Sequence, residues 1–368
     1  IFKSEFFHIY YMKKFTLKNI ILYWLYINSI FINAQIPAYY SSIDFTKTGE
    51  DLKIQITNLI TSTHHTTLPY TSSTQDTWDA IYQTDENPTD NQKVKLIYGW
   101  DDNDINQTND YSRLKTFSCH TSSCTGFWVR EHVYARSWGT PALGFEQAGA
   151  DVHNLRSIDN EWNNIRSNKI FEDATPQIFS YTTNNGNWFP GNEWCGDVAR
   201  IIMYMYLRYP NQCKANVAGM GSKSFSPLQD MPDVFLKWNT IDPPSIYEQT
   251  RNSILQNIQG NRNPFIDNPY LAKLIWNGPV PVDTWGQLSI EKNIVDNIFI
   301  YPSITDGIIN IENTFKNKIN YNIFNTLGQL INSGTTIDTI DISNNVKGVY
   351  FINLQLENQF KKFKVILN

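Results

Sequence analysis

The chain has 368 residues, of which 41% are hydrophobic and 14% aromatic, and its formal net charge is −5. This length and hydrophobic content suffice for a buried core and favour two globular modules over one. The acidic balance excludes overall positive charge as a means of attracting nucleic acid, so a phosphate-binding surface would have to be local or rely on a metal cation.

Residues 1–34 have the pattern of a processed export signal. Met12 is followed by two lysines and then by a largely apolar stretch from Ile20 to Ile32, an order typical of secretory signals. We predict a start at Met12, preceded by an upstream extension, and cleavage after Ala34. The apolar stretch is short for a membrane span, so an uncleaved anchor is the weaker alternative.

The longest part of the chain, residues 35–278, is rich in aromatic residues and is predicted to form one mainly helical domain. Loops rich in Asn, Asp and Thr separate its periodic segments. The predicted helices span residues 49–61, 77–83 and 196–208.

A change of pattern follows at residues 279–291, where prolines and glycines indicate a linker. In residues 292–368, short segments alternate apolar and polar residues, as in INYNIFN at 319–325, which is typical of a small antiparallel β-sandwich. This tail lacks His, Cys and Arg, so we expect it to serve binding, adhesion or transport. The fold class expected for the whole chain is α+β.

Four cysteines remain in the expected mature protein, and an even number in an exported chain favours two disulfides. Their spacing suggests Cys119 with Cys124 and Cys195 with Cys213. Four cysteines allow three pairings, so the other two stay open, and a structural zinc site is the less favoured alternative.

All nine arginines lie between Arg113 and Arg262. A planar guanidinium can be needed where an ammonium group will not serve, as in bidentate contacts with phosphate. The clustering therefore indicates either that the chemistry lies in this segment or that arginine is confined to the larger, better-packed domain.

The segment WVREHVYARSWG, residues 128–139, places Arg130, Glu131 and His132 side by side. The later segment DVHNLRSIDNEWNNIRSN, residues 151–168, begins as a strand and becomes a helix with Asp159 as its N-cap. Together the two segments predict a strand–strand–helix unit. On this helix the residues sharing one face by their spacing are Asn160, Asn163 and Asn164.

These residue types suit hydrolysis of a phosphodiester. A carboxylate and a side-chain amide are the hard oxygen ligands that magnesium or calcium prefers. A neutral histidine can take the proton from an attacking water, and arginines can offset negative charge on the phosphate. A histidine next to a glutamate is, taken alone, more often a solvated pair than a catalytic one.

Strand alternation would place Glu131 and His132 on opposite faces. We therefore expect the strand to end or twist at this pair, and a regular ladder through both residues would count against a joint catalytic role.

These motifs resemble the bacterial and extracellular endonuclease I family, within the ββα-metal or His-Me finger nucleases. The resemblance covers about residues 36–278, including GDVARIIMYMYLRY at 196–209 and the segment from IYEQTRNSILQ to NPYLAKLIW at 246–276. It implies a divalent cation, Mg²⁺ with Ca²⁺ or Mn²⁺ as alternatives, and cleavage of DNA that leaves 5′-phosphates, with RNA as a second candidate substrate that the sequence leaves open. One departure is Ala135, where relatives often carry proline.

The resemblance implies that His132 is the general base and that Glu131 and Asn163 are metal ligands. It also suggests phosphate contact, substrate binding or support of the site for further residues of the matched motifs. These are Arg130, His153, Arg156, Arg166 and Arg200.

Helical geometry alone does not distinguish Asn163 from its two neighbours on the same face. His153 could equally be a core histidine. Arg200 could either face phosphate or belong to an internal pair with Asp197.

The tail resembles the C-terminal sorting domain of type IX secretion cargo. The matching segments are IYPSITDGIINI at 300–311, YNIFNTLGQLI at 321–331, KGVYFINL at 347–354 and the ending KKFKVILN. The first motif departs from the family, which usually has Asn-Pro where this chain has Ser303-Ile304. The resemblance implies export across the outer membrane by the type IX machinery, to the medium or the cell surface.

The function indicated is a secreted, divalent-metal-dependent endonuclease of low sequence specificity. We expect a monomer without a stable membrane span. The alternatives are a catalytically inactive, nucleic-acid-binding surface adhesin and an exported hydrolase of another polymer such as glycan.

Overall fold

The computed structural model describes residues 35–121, 123–289, 298–313, 318–356 and 359–368. The chain divides into two compact units, residues 1–289 and residues 290–368. The expected signal segment and its cleavage site after Ala34 lie outside the described residues. Among the helices that the structure describes, none is long and apolar enough to cross a membrane.

The larger unit combines helices with short strands. Its described helices are α1 (Gly49–Ser62), α2 (Thr77–Thr84), α3 (Asn160–Arg166), α4 (Cys195–Arg208), α5 (Asp233–Ile241), α6 (Ile246–Gln259), α7 (Pro264–Asp267) and α8 (Tyr270–Trp276). The three helices predicted from the sequence are confirmed, and each differs from its expected bounds by one residue at one end.

The strands of this unit form three small antiparallel sheets. One sheet has three strands and the other two are pairs. The strands are β1 (Glu86–Asn87), β2 (Asp90–Lys95) and β3 (Ser112–Leu114), then the pair β4 (Trp128–His132) and β5 (Leu155–Asp159), and the pair β6 (Tyr181–Thr182) and β7 (Trp188–Phe189).

Helix α4 is buried on all sides at the centre of the larger core. Every residue from Cys195 to Leu207 is buried, although the sequence shows an apolar stripe beside a polar one. Because no face of α4 meets solvent, its polar side chains must find partners inside the protein. The polar stripe, which includes Asp197 and Arg200, is therefore part of the interior.

A buried carboxylate, that of Asp85, joins three elements beside this core. Its Oδ2 accepts hydrogen bonds from the backbone N (2.7 Å) and Oγ (3.0 Å) of Ser157 in β5. Its Oδ1 accepts from Arg251 of α6, and the Nε of Arg156 lies 3.5 Å from Oδ2. Asp85 follows α2 directly, so this one side chain ties α2, β5 and α6 together.

The cysteines form one disulfide, between Cys119 and Cys124. The predicted pairing of Cys195 with Cys213 is wrong, since both are free and buried. Cys195 is the first residue of α4. Cys213 lies beyond the other end of this 14-residue helix, where its backbone N donates a hydrogen bond to Tyr209 O. A helix of that length separates its ends by about 20 Å, whereas a disulfide needs Cα atoms within about 7 Å.

The first part of the expected linker packs on the larger unit. Trp285 is buried, and its ring lies 4.9 Å from that of Tyr40 and 5.6 Å from that of Phe45. The Asp283 carboxylate accepts hydrogen bonds from the backbone N of Leu288 (2.7 Å) and Ser289 (2.8 Å). Residues 290–297 lie outside the described part of the chain.

The smaller unit contains two sheets that share one aliphatic core. The strands are β8 (Ile298–Tyr301), β9 (Ile304–Thr305), β10 (Ile308–Asn313), β11 (Ile319–Asn325), β12 (Leu330–Thr336), β13 (Thr339–Asp341), β14 (Gly348–Leu356) and β15 (Gln359–Leu367). The first sheet has the strand order β13–β10–β8 and the second β12–β11–β14–β15–β9. All described pairings are antiparallel except β15 with β9, which is parallel.

Both sheets of the smaller unit contribute to its core, as a sandwich requires. Ile309 and Ile340 come from the first sheet, and Ile323 and Ile352 from the second. In the predicted strand at 319–325, Ile319 and Ile323 are fully buried, so the alternation in the sequence corresponds to an inward and an outward face.

We expect the substitution Asp85→Ala to lower the free energy of unfolding by about 3–5 kcal/mol, because it leaves the buried Arg251 guanidinium without its carboxylate and takes one of two carboxylates from Arg156. The measurement is urea denaturation of the full chain. As a control, Glu86→Ala removes the surface ion pair of Glu86 with Lys115, which we expect to cost less than about 1 kcal/mol. Equal losses for the two variants would contradict a structural role for the buried carboxylate.

The thiol count provides a second test of the fold. In denaturant without reductant we expect two reactive thiols per chain, and in native buffer almost none. Burial shields both thiols and raises the pKa of Cys195, and it raises that of Cys213 to about 12, so little reactive thiolate is present. Titration with a chromogenic disulfide measures both numbers, and finding no thiols in denaturant would mean that a second bridge exists.

Candidate active site

The two segments singled out in the sequence form the antiparallel pair β4 and β5. Arg130 lies opposite Ser157, Glu131 opposite Arg156 and His132 opposite Leu155. Helix α3 follows β5 without a loop, and the Asp159 carboxylate caps it by accepting a hydrogen bond from Trp162 N (2.9 Å). The predicted strand–strand–helix order and the N-cap are present.

The ladder between these strands is regular through both Glu131 and His132, which corrects the expectation of a twist at this pair. Their side chains therefore lie on opposite faces of the two-stranded ribbon. His132 is nevertheless the last residue of β4. Both side chains can act on one phosphate only if that phosphate lies at the end of the strand, where the faces meet.

The Glu131 carboxylate is buried, with 3% of its surface exposed. Its Oε1 lies 3.2 Å from Nη1 of Arg166 and accepts a long hydrogen bond of 3.4 Å from the Tyr98 hydroxyl. Burial raises the pKa of Glu131 to about 7, although the positive charge of Arg166 and the Tyr98 hydrogen bond oppose this shift. A carboxylate removed from water in this way is stabilised by any cation that approaches it.

The His132 imidazole is held by a backbone carbonyl. Its Nε2 lies 2.8 Å from Gly149 O, and since a carbonyl oxygen can only accept, Nε2 carries the proton. Burial lowers the pKa of His132 to about 4, with nearby arginines lowering it further against the Gly149 hydrogen bond. The ring is therefore neutral at neutral pH, and its Nδ1 is the atom that can accept a proton.

The last residue of helix α3 is the buried Arg166, whose guanidinium lies at the end of β4. Arg166 donates from Nη2 to Val133 O (2.7 Å) and from Nη1 to His132 O (3.3 Å), besides its contact with Glu131. These bonds fix the backbone where β4 ends. Arg166 thus supports the pair from inside the protein, and its 1% exposure leaves little surface for direct contact with phosphate.

Asn163 lies one turn before Arg166 and so shares its face of α3. Its side chain is half-buried, and within the described part of the chain its amide makes no hydrogen bond. By contrast, the Asn160 amide donates to Glu161 Oε1 at 3.4 Å, and Asn164 is exposed. Of the three asparagines, Asn163 is the one that shares the helix face of Arg166, which contacts Glu131, and whose amide makes no hydrogen bond within the described residues.

Two other candidate arginines point into the protein interior. Arg156 donates from Nη1 to Asp197 Oδ2 at 3.0 Å, and Arg200 forms a two-bond pair with Glu248 at 2.8 and 2.6 Å. Each guanidinium is at most 1% exposed. Of the two alternatives expected for Arg156, these contacts favour support of the site over contact with phosphate, and the main partner of Arg200 is Glu248 rather than Asp197.

His153 also lies in the core. Its ring is 4.3 Å from that of Tyr204, and its Nε2 lies 3.4 Å from Asn261 O. Burial lowers the pKa of His153 to about 4. These contacts match the core-histidine alternative, since none of them is with β4 or with the end of α3.

Arg130 is on the same ribbon face as His132 and only partly buried. Its guanidinium lies 3.5 Å from the centre of the Tyr70 ring and 4.2 Å from that of Trp78. The Tyr70 ring in turn stacks on His132 at 5.6 Å. The Tyr70 ring therefore contacts both Arg130 and His132.

Sequence reasoning missed Tyr70, Tyr98 and Gly149, all of which touch the Glu131 and His132 pair. The first two are aromatic residues among many, distant in sequence from the motifs. Gly149 contributes only its backbone carbonyl, so no pattern of side chains in the sequence could indicate its role. A Cβ at this glycine would lie 2.0 Å from Gly144 O, so the residue type reflects a close backbone approach.

Comparison with known proteins gives the same division of the chain. Residues 48–270 match Endonuclease I, and residues 299–368 match the secretion system C-terminal sorting domain. The chain is 34% identical over 256 residues to the extracellular ribonuclease of Bacillus subtilis (strain 168), over 66% of this chain and 80% of the relative. It is 34% identical over 259 residues to the extracellular ribonuclease of Bacillus amyloliquefaciens, with the same coverage.

The sorting domain and the similarity to extracellular proteins show that the protein is secreted or carried on the cell surface. The first match covers well over half of the chain and includes β4, β5 and α3. The chain belongs to the Endonuclease I family, and it is a nuclease.

Proposed function

We propose that this secreted nuclease hydrolyses phosphodiester bonds in RNA and DNA with a divalent cation held by Glu131 and Asn163 and with His132 as the general base. The observation that carries the proposal is the state of the pair at the end of β4. There a desolvated carboxylate with a raised pKa and a neutral imidazole oriented by Gly149 O occupy consecutive positions on the two faces of the ribbon.

The ligands available fit a cation that retains several waters. Among the described residues, no group of three or more His, Cys, Asp or Glu side chains converges on one point. A carboxylate and an amide oxygen supply two hard ligands, and water and phosphate oxygens would complete the set, as Mg²⁺ prefers. When bound, the cation would supply positive charge to the scissile phosphate and to the leaving oxygen.

The residues of this chain have separate roles in the proposed reaction. His132 Nδ1 takes a proton from the water that attacks phosphorus, and the Nε2 hydrogen bond to Gly149 O stabilises the imidazolium that results. Arg166 holds the backbone at the end of β4 and thereby fixes the separation of base and carboxylate. Bond cleavage on the 3′-oxygen side leaves a 5′-phosphate, as the family resemblance implies.

Two observations support the proposed substrate class: the names of the similar proteins, and the absence of a zinc-finger site among the described residues. Both similar Bacillus proteins are named extracellular ribonucleases, which supports RNA as a substrate beside DNA. Among the described residues, no group of His, Cys, Asp or Glu side chains could hold the metal ion of a zinc finger that reads base edges. We therefore propose low sequence specificity.

Replacing the proposed base gives the most direct test. We expect His132→Ala to lower kcat by about 10²–10⁴-fold, the range for loss of general-base catalysis, while affinity for an uncleaved oligonucleotide stays within a few-fold. Initial rates are measured on plasmid DNA and on RNA with Mg²⁺ and with EDTA. The control, His65→Ala, removes an exposed imidazole outside the site and should leave the rates unchanged.

Full activity of His132→Ala would contradict the assignment of the base. Equal activity of the wild type in Mg²⁺ and in EDTA would contradict the metal dependence. If the oxidised wild-type protein cleaved neither polymer with any divalent cation, this site would have to be an inactive binding site, as in the adhesin alternative.

The metal ligand on α3 can be tested with adjacent asparagines. We expect Asn163→Ala to raise the Mg²⁺ concentration for half-maximal activity at least tenfold, because it removes one of two protein ligands. Asn164→Ala, one residue along the same helix, should match the wild type. The rise in Tm on adding Mg²⁺ to each protein provides a readout independent of cleavage, and the same response from both variants would contradict the ligand assignment.

A further inference from the structure

A groove of about 890 Å³ lies between residues 67–71 and residues 145–147. It is built by two loops of the larger unit, and neither loop contributed to the predicted motifs. Its apolar lining residues are Leu68, Pro69, Tyr70 and Phe145, and its polar ones are Thr67, Thr71, Glu146 and Gln147. The volume is large enough for a nucleobase with its sugar.

The groove is continuous with the proposed catalytic histidine. The centre of the Tyr70 ring lies 5.6 Å from that of the His132 ring and 5.0 Å from that of the Phe145 ring. The loop that carries Phe145 also supplies the Gly149 carbonyl that orients His132. The Tyr70 ring therefore connects Phe145 to the proposed catalytic histidine.

Phe145 presents an exposed aromatic ring in this groove. Its side chain is 55% exposed, although a phenylalanine is normally found buried. The close approach of Gly149 to Gly144 keeps the loop that carries Phe145 compact. An aromatic ring held in water beside a catalytic residue favours a ligand that stacks.

Two guanidinium groups lie against the same aromatic rings. The Arg136 guanidinium is 4.1 Å from the centre of the Phe145 ring, and that of Arg130 is 3.5 Å from the centre of the Tyr70 ring. Alternating rings and cations are the surface that single-stranded nucleic acid prefers, because bases stack while phosphates meet positive charge. Both arginines are only partly buried.

We propose that this groove is a nucleobase subsite, in which an unpaired base stacks on Phe145 while the neighbouring phosphate lies at His132. The inference rests on the proposed function and adds its substrate class, single-stranded nucleic acid. A base in a duplex must first leave its stack and its pair, which costs free energy that an unpaired base does not pay. The subsite thus selects single strands over duplexes without reading sequence.

Binding is tested apart from cleavage. The full chain carrying His132→Ala is titrated into a short single-stranded oligonucleotide that contains the fluorescent base 2-aminopurine, whose emission falls on stacking. Adding Phe145→Ala should weaken binding by about tenfold, a change typical of losing one base–aromatic stack, and should abolish the quenching. Phe145→Tyr keeps the ring and should retain both.

Phe117→Ala is the matched control. This phenylalanine is 45% exposed and packs on another phenylalanine, Phe127, at 5.7 Å, and it does not line the groove. It should leave affinity and quenching as they are. Circular dichroism melting of all variants shows whether each is folded.

Cleavage by proteins that retain His132 gives the second readout. We expect the wild type to have a higher kcat/KM on a single strand than on its duplex, and Phe145→Ala to reduce this ratio about tenfold. The inference is overturned if Phe145→Ala binds like Phe117→Ala, or if it lowers single-strand and duplex cleavage equally, which would mean contact with the backbone. Failure of the proposed function looks different, because the wild type would then cleave neither substrate.

Discussion

The position of β5, and with it the whole site, depends on the buried carboxylate of Asp85. This side chain binds Ser157 of β5 through two hydrogen bonds and Arg251 of α6 through an ion pair. Glu131 and His132 take their places from the register with β5. A buried charge is costly unless it is paired and hydrogen-bonded, so the strand cannot shift without leaving charges unpaired, and the register is strongly specified.

Burial on both faces of the ribbon gives the pair its chemistry. The face of Glu131 packs on the larger core through Ile158, and that of His132 on a second cluster through Leu155. Removal from water disfavours every charged form, so the same cause raises the pKa of Glu131 and lowers that of His132. The histidine becomes a neutral acceptor at neutral pH, while the positive charge of Arg166, 3.2 Å from the Glu131 carboxylate, only partly offsets the effect of burial on that carboxylate.

Much of this organisation could be predicted, because some features are local. Helix bounds, the Asp159 cap and the alternation in the tail follow from neighbouring residues, and family motifs identified the Glu131 and His132 pair. Burial could not be predicted, because it depends on what packs from elsewhere. The spacing of residues in the sequence showed a polar stripe on α4, but it did not show that α5 and other elements cover this stripe. The spacing also suggested a disulfide between two cysteines that the length of α4 keeps apart.

The confinement of arginine to the larger unit now has a physical account. Five arginines are at most 5% exposed and lie against carboxylates or backbone carbonyls, which reflects packing rather than substrate. These are Arg113, Arg156, Arg166, Arg200 and Arg251. Since a buried guanidinium held by carboxylates and carbonyls has little surface to offer a polyanion, the arginines that can meet phosphate are the partly exposed ones. Arg130 and Arg136 are two of these, and both lie over aromatic rings beside His132, so an acidic protein can concentrate positive charge where its proposed chemistry needs it.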